Sequence, residues 1–406
     1  MSHQPLRGVK VLDLTWYISG PYCTKLLADY GADMLKVEKP GEGDPARKMG
    51  PFFKDDPHPE KSGLFLYLNT NKKGITLNLK SSWGRDVIKE LVKDVDILVE
   101  SFSPGFMEGL GLGYSDLEKI NPRLVFTSIS NFGQFGPYRD YKASDLIMYG
   151  MGGAMNESGL PDREPLKKAA GTPVLFSAGN MAALAVMIAL YQAKAVGVGQ
   201  QIDFSLMEAQ MESVDRRMSQ LLAYQYNNEI TNRSDVRARP VYPAGLYPCK
   251  DGWWAITAIG VEWPAVGKMM GMPEITDDPR WSNMIAQVTP GHREEFMAIF
   301  IPWGLEHTKK ECVEAGQVAG ANCGPINTME EVANDPHLRE RDFWAEIDHP
   351  FTGKLTYPGR PFLAKDMPWM IRIPAPLLGQ HNKEIYCGKL GYGKNDLVKL
   401  KETGCI

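Results

Sequence analysis

Residues 8–40 read GVKVLDLTWYISGPYCTKLLADYGADMLKVEKP, and the alternation inside them decides the fold. Residues 8–15 are a short apolar run opening after a glycine, which predicts a strand. Residues 20–32 follow as a helix. Pro21 falls in its first turn, where the missing N–H is no loss, and Gly31 stands at its end. Residues 33–40 make a second strand. The same alternation continues outward. A third strand is expected at 74–80 (GITLNLK), then a helix at 82–95 with Ser82 as its N-cap. Two more strands are expected at 96–101 (DILVES) and 124–130 (LVFTSIS), with a short helix between Tyr114 and Ile120. Strands and helices alternating at this spacing predict an α/β fold with a mostly parallel sheet and helices on both faces.

Beyond residue 170 the pattern changes. An apolar helix is expected at 180–194, a turn at 197–201 (GVGQQ), and a strand running into a long helix over 202–226. Residues 227–240 are polar and poorly periodic and read as a linker. Residues 245–259 predict two short strands around the turn KDG, opening a smaller domain that continues through a Met- and Trp-rich helical stretch to about Asn327. Residues 356–381 are Pro-rich and extended, and a short helical tail follows.

A chain of 406 residues predicts more than one domain. Lys plus Arg number 45 against 49 for Asp plus Glu, a net charge of −4, and there is no basic block. That balance argues against nucleic acid and acidic membrane surfaces as partners. The six cysteines are scattered without a CxxC pair, which fits reduced thiols in the cytosol. The N-terminus lacks the pattern of a signal peptide. Residues 173–193 are long enough to span a bilayer, but Pro173, Ser177, Gly179, Asn180 and Gln192 interrupt the run. A buried helix of an α/β core is the expected reading.

Chemistry is thin in the usual places. Residues 109–116 (GLGLGYSD) bring glycines together without the preceding strand that a dinucleotide loop needs. All seven histidines fall outside residues 59–291, so the α/β core lacks the commonest general base. Lys36, Lys39, Lys72, Lys73, Lys80 and Lys142 are either a solvated surface or a polyanion site at the carboxyl ends of parallel strands.

Long segments carry a family resemblance: 5–47 (from PLRGVKVLDLT to EGDPAR), 96–138 (DILVESFSPGFMEGLGLGYSDLEKINPRLVFTSISNFGQFGPY), 197–210 (GVGQQIDFSLMEAQ), 324–344 (GPINTMEEVANDPHLRERDFW) and 374–381 (PAPLLGQH). In these the chain resembles the family III CoA-transferases, which include formyl-CoA, carnitine and benzylsuccinate transferases and acyl-CoA racemases. The resemblance implies a Rossmann-like large domain over 1–226, a small α+β domain with linkers over 227–330, and a segment 331–406 returning to the large domain. It also implies two chains interlocked as a dimer.

In active members an aspartate attacks the acyl-CoA thioester, and a mixed anhydride forms. The resemblance places that aspartate at Leu175, four residues before Gly179 of SAGNMAAL. It places the racemase histidine at Ser144. Between Glu164 and Asp203 there is no acid and no histidine. Tyr17, Ile18, Lys39, Leu77, Asn78, Leu79, Lys80, Ser101, Phe102 and Lys142 fall at CoA-contact positions. Ser101 replaces the family's asparagine, and Ser103 and Gly109 replace two cations, which weakens the hold on the CoA phosphates.

The implied role is a non-catalytic, cytoplasmic subunit whose paralogous partner supplies the aspartate. Within the family it most resembles the benzylsuccinate transferases of anaerobic toluene degradation. Two alternatives stay open: a self-sufficient homodimeric transferase or racemase using a displaced acid such as Asp145 or Glu157, and a protein that holds acyl-CoA without turning it over. The CoA thioester would be a substrate, and no metal, flavin, nicotinamide or covalent cofactor is implied.

Overall fold

The computed structural model describes residues 4–167, 171–212, 217–233 and 241–406. His3, the middle of the stretch 202–226 expected as a strand running into a long helix, and the end of the 227–240 linker lie outside them. The larger of two compact units comprises residues 1–158, 165–232 and 342–406, and the smaller comprises 159–164 and 233–341.

The larger unit is built on six strands: β1 (Lys10–Leu14), β2 (Asp33–Glu38), β3 (Lys72–Thr76), β4 (Ile97–Glu100), β5 (Val125–Ser130) and β6 (Gln200–Ser205). They lie in the order β3-β2-β1-β4-β5-β6, and every neighbouring pair is parallel. This is the doubly wound order. Its switch point falls between β1 and β4, where crossovers leave in opposite directions and open a crevice at the strands' carboxyl ends.

Helices α1 (Ser19–Asp29), α2 (Ser82–Val92), α3 (Asp145–Met151), α4 (Pro173–Val196) and α5 (Lys394–Glu402) flank the sheet. One core gathers Val11, Leu27, Val99, Ile129, Ala182 and Val186 between β-strands, α1 and α4. The other gathers Leu12, Val87, Leu91 and Phe126 with Tyr386 and Leu400 from the C-terminal segment. That segment is tied down by buried charge. The Arg47 guanidinium bonds Glu38 at 2.7 Å, Glu60 at 2.7 Å and the Pro376 carbonyl at 2.9 Å.

Several boundaries differ from the sequence reading. The third strand ends at Thr76, because the chain then turns away to bond the C-terminal segment: Asn78 N–H donates to the Cys405 carbonyl at 2.8 Å. The N-cap of α2 is Ser81, not Ser82; its hydroxyl accepts from Gly84 N–H at 2.9 Å. Adjacent serines leave that choice to the turn geometry. The helix near Tyr114 is a single turn, Tyr114–Leu117. The apolar helix begins seven residues early, at Pro173 rather than 180. No side chain caps it, and proline at its first position is the only start signal. This puts Leu175 inside a helix.

Helix α4 is long and apolar enough to cross a membrane. One face is core, with Val174, Ala178, Ala182, Val186, Ala189 and Ala193 buried. The other exposes Leu184, Ile188 and Tyr191. In the smaller unit, strands Ala244–Cys249, Gly252–Thr257 and Asn322–Pro325 pair antiparallel. They bury an aromatic cluster of Tyr242, Trp254, Trp263, Phe296 and Phe300.

Candidate functional site

The crevice at the switch point is shaped by the loop from β1 into α1 and by the exit of β4. Tyr17 holds a left-handed backbone, φ 77°, and its side chain is half exposed. A non-glycine residue stays there only when its surroundings enforce it. Here the Tyr17 N–H donates to Asp44 Oδ1 at 3.0 Å. Lys36 Nζ in turn donates to Asp44 Oδ2 at 2.8 Å and to the Thr15 carbonyl at 2.8 Å. Gly20 permits the tight return into α1, since a Cβ there would lie 2.3 Å from the Thr15 side chain.

Across the crevice the Ser101 hydroxyl accepts from Trp16 N–H at 2.9 Å. The Trp16 and Phe102 rings meet edge to face at 5.3 Å, and Phe102 packs on Phe106 at 4.7 Å. The strand ends therefore bring Tyr17, Ser101 and Phe102 together, with buried Ile18 behind them. Lys39 leaves β2 exposed and pairs with Glu42 at 2.7 Å. Leu77 to Lys80 form the turn after β3, with Leu77 and Leu79 buried and Lys80 exposed. Lys142 stands apart on the exposed approach to α3, with no ion pair to the others among the described residues.

The lysine collection is not one surface. Lys36 and Lys72 are fully buried. Lys72 Nζ bonds Asp13 at 3.0 Å and Thr24 at 2.7 Å, while Asp13 also accepts from Thr15 N–H at 2.9 Å. Burial pushes the Asp13 carboxyl up, but the Lys72 and Lys36 ammoniums and the Thr15 bonds outweigh it and hold it at about 2. Lys73 is spoken for by Glu384 at 2.6 Å. A solvated-or-ligand choice for these lysines omitted the third possibility, a neutralised interior. Asp13 lies 59 residues from Lys72, and Asp44, eight residues from Lys36, is folded back by the loop after β2, so no helix or strand period reveals it.

Glu100, at the end of β4, is a buried acid that the motifs did not single out. Burial pushes it up to about 7, against the bonds from the Ser128 hydroxyl and the Phe102 N–H, with the Glu108 and Asp203 charges adding to the rise. A carboxyl raised in the folded state contributes stability below its unfolded value that is lost as pH climbs through the folded one. Glu100→Gln should therefore match the parent near pH 4.5 and exceed it by about 3 kcal/mol at pH 8, read from urea melts at both pH values. Equal stability differences at the two pH values would show that Glu100 is already ionised.

Beyond the next strand end, Ser144 and Leu175, where the resemblance leads one to expect the racemase histidine and the family nucleophile, come near each other. Ser144 precedes α3, and Leu175 occupies the first turn of α4. Asp145 joins them: its Oδ1 accepts from Leu175 N–H at 3.2 Å, and its Oδ2 pairs with Lys167 Nζ at 2.6 Å. Asp145 is 6% exposed. Its Oδ1 serves the start of α4, while its Oδ2 is ion-paired with the lysine but accepts no hydrogen bond. The Leu175 side chain packs against the core. Glu157 accepts from the Gln220 amide at 2.5 Å. Gly179 lets α4 press on α1, because a Cβ would come within 2.5 Å of the Ser19 carbonyl.

The chain resembles named proteins and solved structures over nearly its whole length. It is 33% identical over 99% of its length to succinyl-CoA–D-citramalate CoA-transferase of Chloroflexus aurantiacus, covering 98% of that protein. It is 31% identical over 99% of its length to subunit BbsE of succinyl-CoA:(R)-benzylsuccinate CoA-transferase of Thauera aromatica, covering 98% of it. The crystal structure of a CAIB/BAIF family protein from Brucella suis superposes with a TM-score of 0.83 at 27% identity, over 95% of this chain and 99% of that one. The family model for CoA-transferase family III matches residues 6–382. On a match of that extent, with the fold to go with it, the chain belongs to CoA-transferase family III.

Proposed function

We propose that this chain is the nucleophile-lacking subunit of a cytoplasmic, heteromeric CoA-transferase, and that a paralogous partner supplies the catalytic aspartate. One observation carries the reading: Leu175 stands in the first turn of α4, with no acid between Glu164 and Asp203, while the neighbouring Asp145 is buried and tied to Leu175 N–H and Lys167. Leucine offers no oxygen to an acyl carbon. The likeness to a protein named as one subunit of a transferase supports a heteromer. So does the open apolar stripe Leu184, Ile188 and Tyr191 on α4, which a second chain would cover.

Both transferases named above carry succinyl-CoA in their names, which supports it as the donor; their acceptors differ. We take (R)-benzylsuccinate as the acceptor to test first. In the complex, the partner's carboxylate oxygen attacks the thioester carbonyl, CoA leaves as thiolate, and an aspartyl–succinyl anhydride remains. This chain would hold and orient CoA through Tyr17, Ile18, Lys39, Leu77 to Lys80, Ser101, Phe102 and Lys142.

The anhydride identifies its owner. Incubating the complex with succinyl-CoA and quenching with hydroxylamine converts an acylated carboxylate to a hydroxamate, which peptide mass spectrometry locates. The expected hydroxamate lies on the partner's aspartate alone. A hydroxamate at Asp145 or Glu157 would instead make this chain a self-sufficient enzyme.

A further inference from the structure

A second hollow, of about 670 Å³, opens at the carboxyl end of β3, lined among others by Gly41, Thr76 and three lysines of the C-terminal segment, Lys383, Lys394 and Lys401. No acidic side chain lines it. The contrast with neighbouring lysines is sharp. Lys39 pairs with Glu42 at 2.7 Å, Lys73 with Glu384 at 2.6 Å and Lys389 with Asp94 at 3.3 Å. Lys383, Lys394 and Lys401 have no ion pair among the described residues. In a chain of net charge −4, three ammoniums with no ion-pair partner, against the single terminal carboxylate of Ile406 that also lines the hollow, make a local field for an anion.

The frame that carries them is fixed rather than loose. Asn382, next to Lys383, accepts from Thr76 N–H at 2.9 Å and donates to the Thr76 hydroxyl at 2.8 Å. Tyr386 donates its hydroxyl to the Thr76 carbonyl at 2.8 Å. Leu400, beside Lys401 on α5, is fully buried. Lys383 therefore springs from backbone pinned to the end of β3, and Lys394 and Lys401 from a helix seated on the core, so little backbone order is lost when they close on a ligand.

We propose that Lys383, Lys394 and Lys401 hold the 3′-phosphate of coenzyme A. A phosphate monoester is close to a dianion at neutral pH and suits several converging ammoniums. The position suits it too. β3 lies two strand spacings from β1 and three from β4, roughly 10–14 Å from the crevice, a span that a ligand with its thioester end at the switch point can reach with its nucleotide. Lys39 and the turn Leu77 to Lys80 lie along that path. The tail would thus replace the cations missing at Ser103 and Gly109. This rests on the reading that this chain binds CoA.

The test compares CoA with 3′-dephospho-CoA by calorimetric titration of the purified chain, in parallel with the triple variant Lys383→Gln, Lys394→Gln, Lys401→Gln. The expected result is that the parent prefers CoA by about tenfold or more. The variant loses that preference and binds dephospho-CoA as the parent does. A variant that keeps the preference, or a parent with none, overturns the lysine assignment while leaving CoA binding in place. A parent that binds neither compound overturns the CoA reading itself.

Discussion

Replacing Lys36 with methionine is expected to destabilise the chain by about 3–5 kcal/mol, the range for removing one partner of a buried ion pair. Lys36 and Asp44 are both 0% exposed at their side chains and 2.8 Å apart. The variant strands the Asp44 carboxylate in a dry interior and leaves the Thr15 carbonyl without its donor. A fall in Tm of about 10 °C should follow. The function should suffer with the fold, because Asp44 Oδ1 is the acceptor that holds Tyr17 in its left-handed conformation. Adding Asp44→Asn to the variant removes the stranded charge but keeps an acceptor for Tyr17, so part of the stability should return. A loss below about 1 kcal/mol in the single variant would mean that water reaches Asp44 and the pair is not the clamp on the loop.

Gly179→Val should be nearly as damaging, by about 3 kcal/mol or more, at the high end for overpacking. The new Cβ meets a backbone carbonyl, Ser19 at 2.5 Å, and the Tyr22 side chain at 3.2 Å. A flexible side chain could step aside, whereas the first turn of α1 cannot without moving the Tyr17 loop. Circular dichroism melts read the stability. CoA titration of the fraction that remains folded should show weaker binding as well. Unchanged melting would show that α1 and α4 can part at little cost.

How much of this was legible in the sequence depends on whether the deciding partner was local. The β1–α1–β2 unit was readable because strand period, Pro21 and Gly31 all lie within residues 8–40. The order of the six strands is not local information; the alternating pattern says parallel sheet, and the family resemblance says Rossmann-like. The start of α4 was missed because Pro173 is its only signal, and with it the placing of Leu175 in a first helical turn. Lys36 and Lys72 read as either solvated surface or part of a polyanion site, because lysine is rarely fully buried. Asp13 is brought beside Lys72 by the sheet, and Asp44 beside Lys36 by the loop that follows β2. Glu100 was hidden inside a strand motif, and its burial comes from β5 and the β4 exit together. The basic hollow is the furthest from view: Thr76 and Lys383 to Lys401 are separated by some three hundred residues of chain.

The central claim, that Leu175 marks a subunit completing another chain's active site, is tested most directly by one assay. CoA transfer from succinyl-CoA to (R)-benzylsuccinate is measured with this chain alone, with its paralogue bearing aspartate in place of Leu175 alone, and with the two mixed. Transfer in the mixture, and none with this chain by itself, is the predicted result. Turnover by the homogeneous chain would contradict it and turn attention to Asp145, the one acid already bonded to the position that leucine fills.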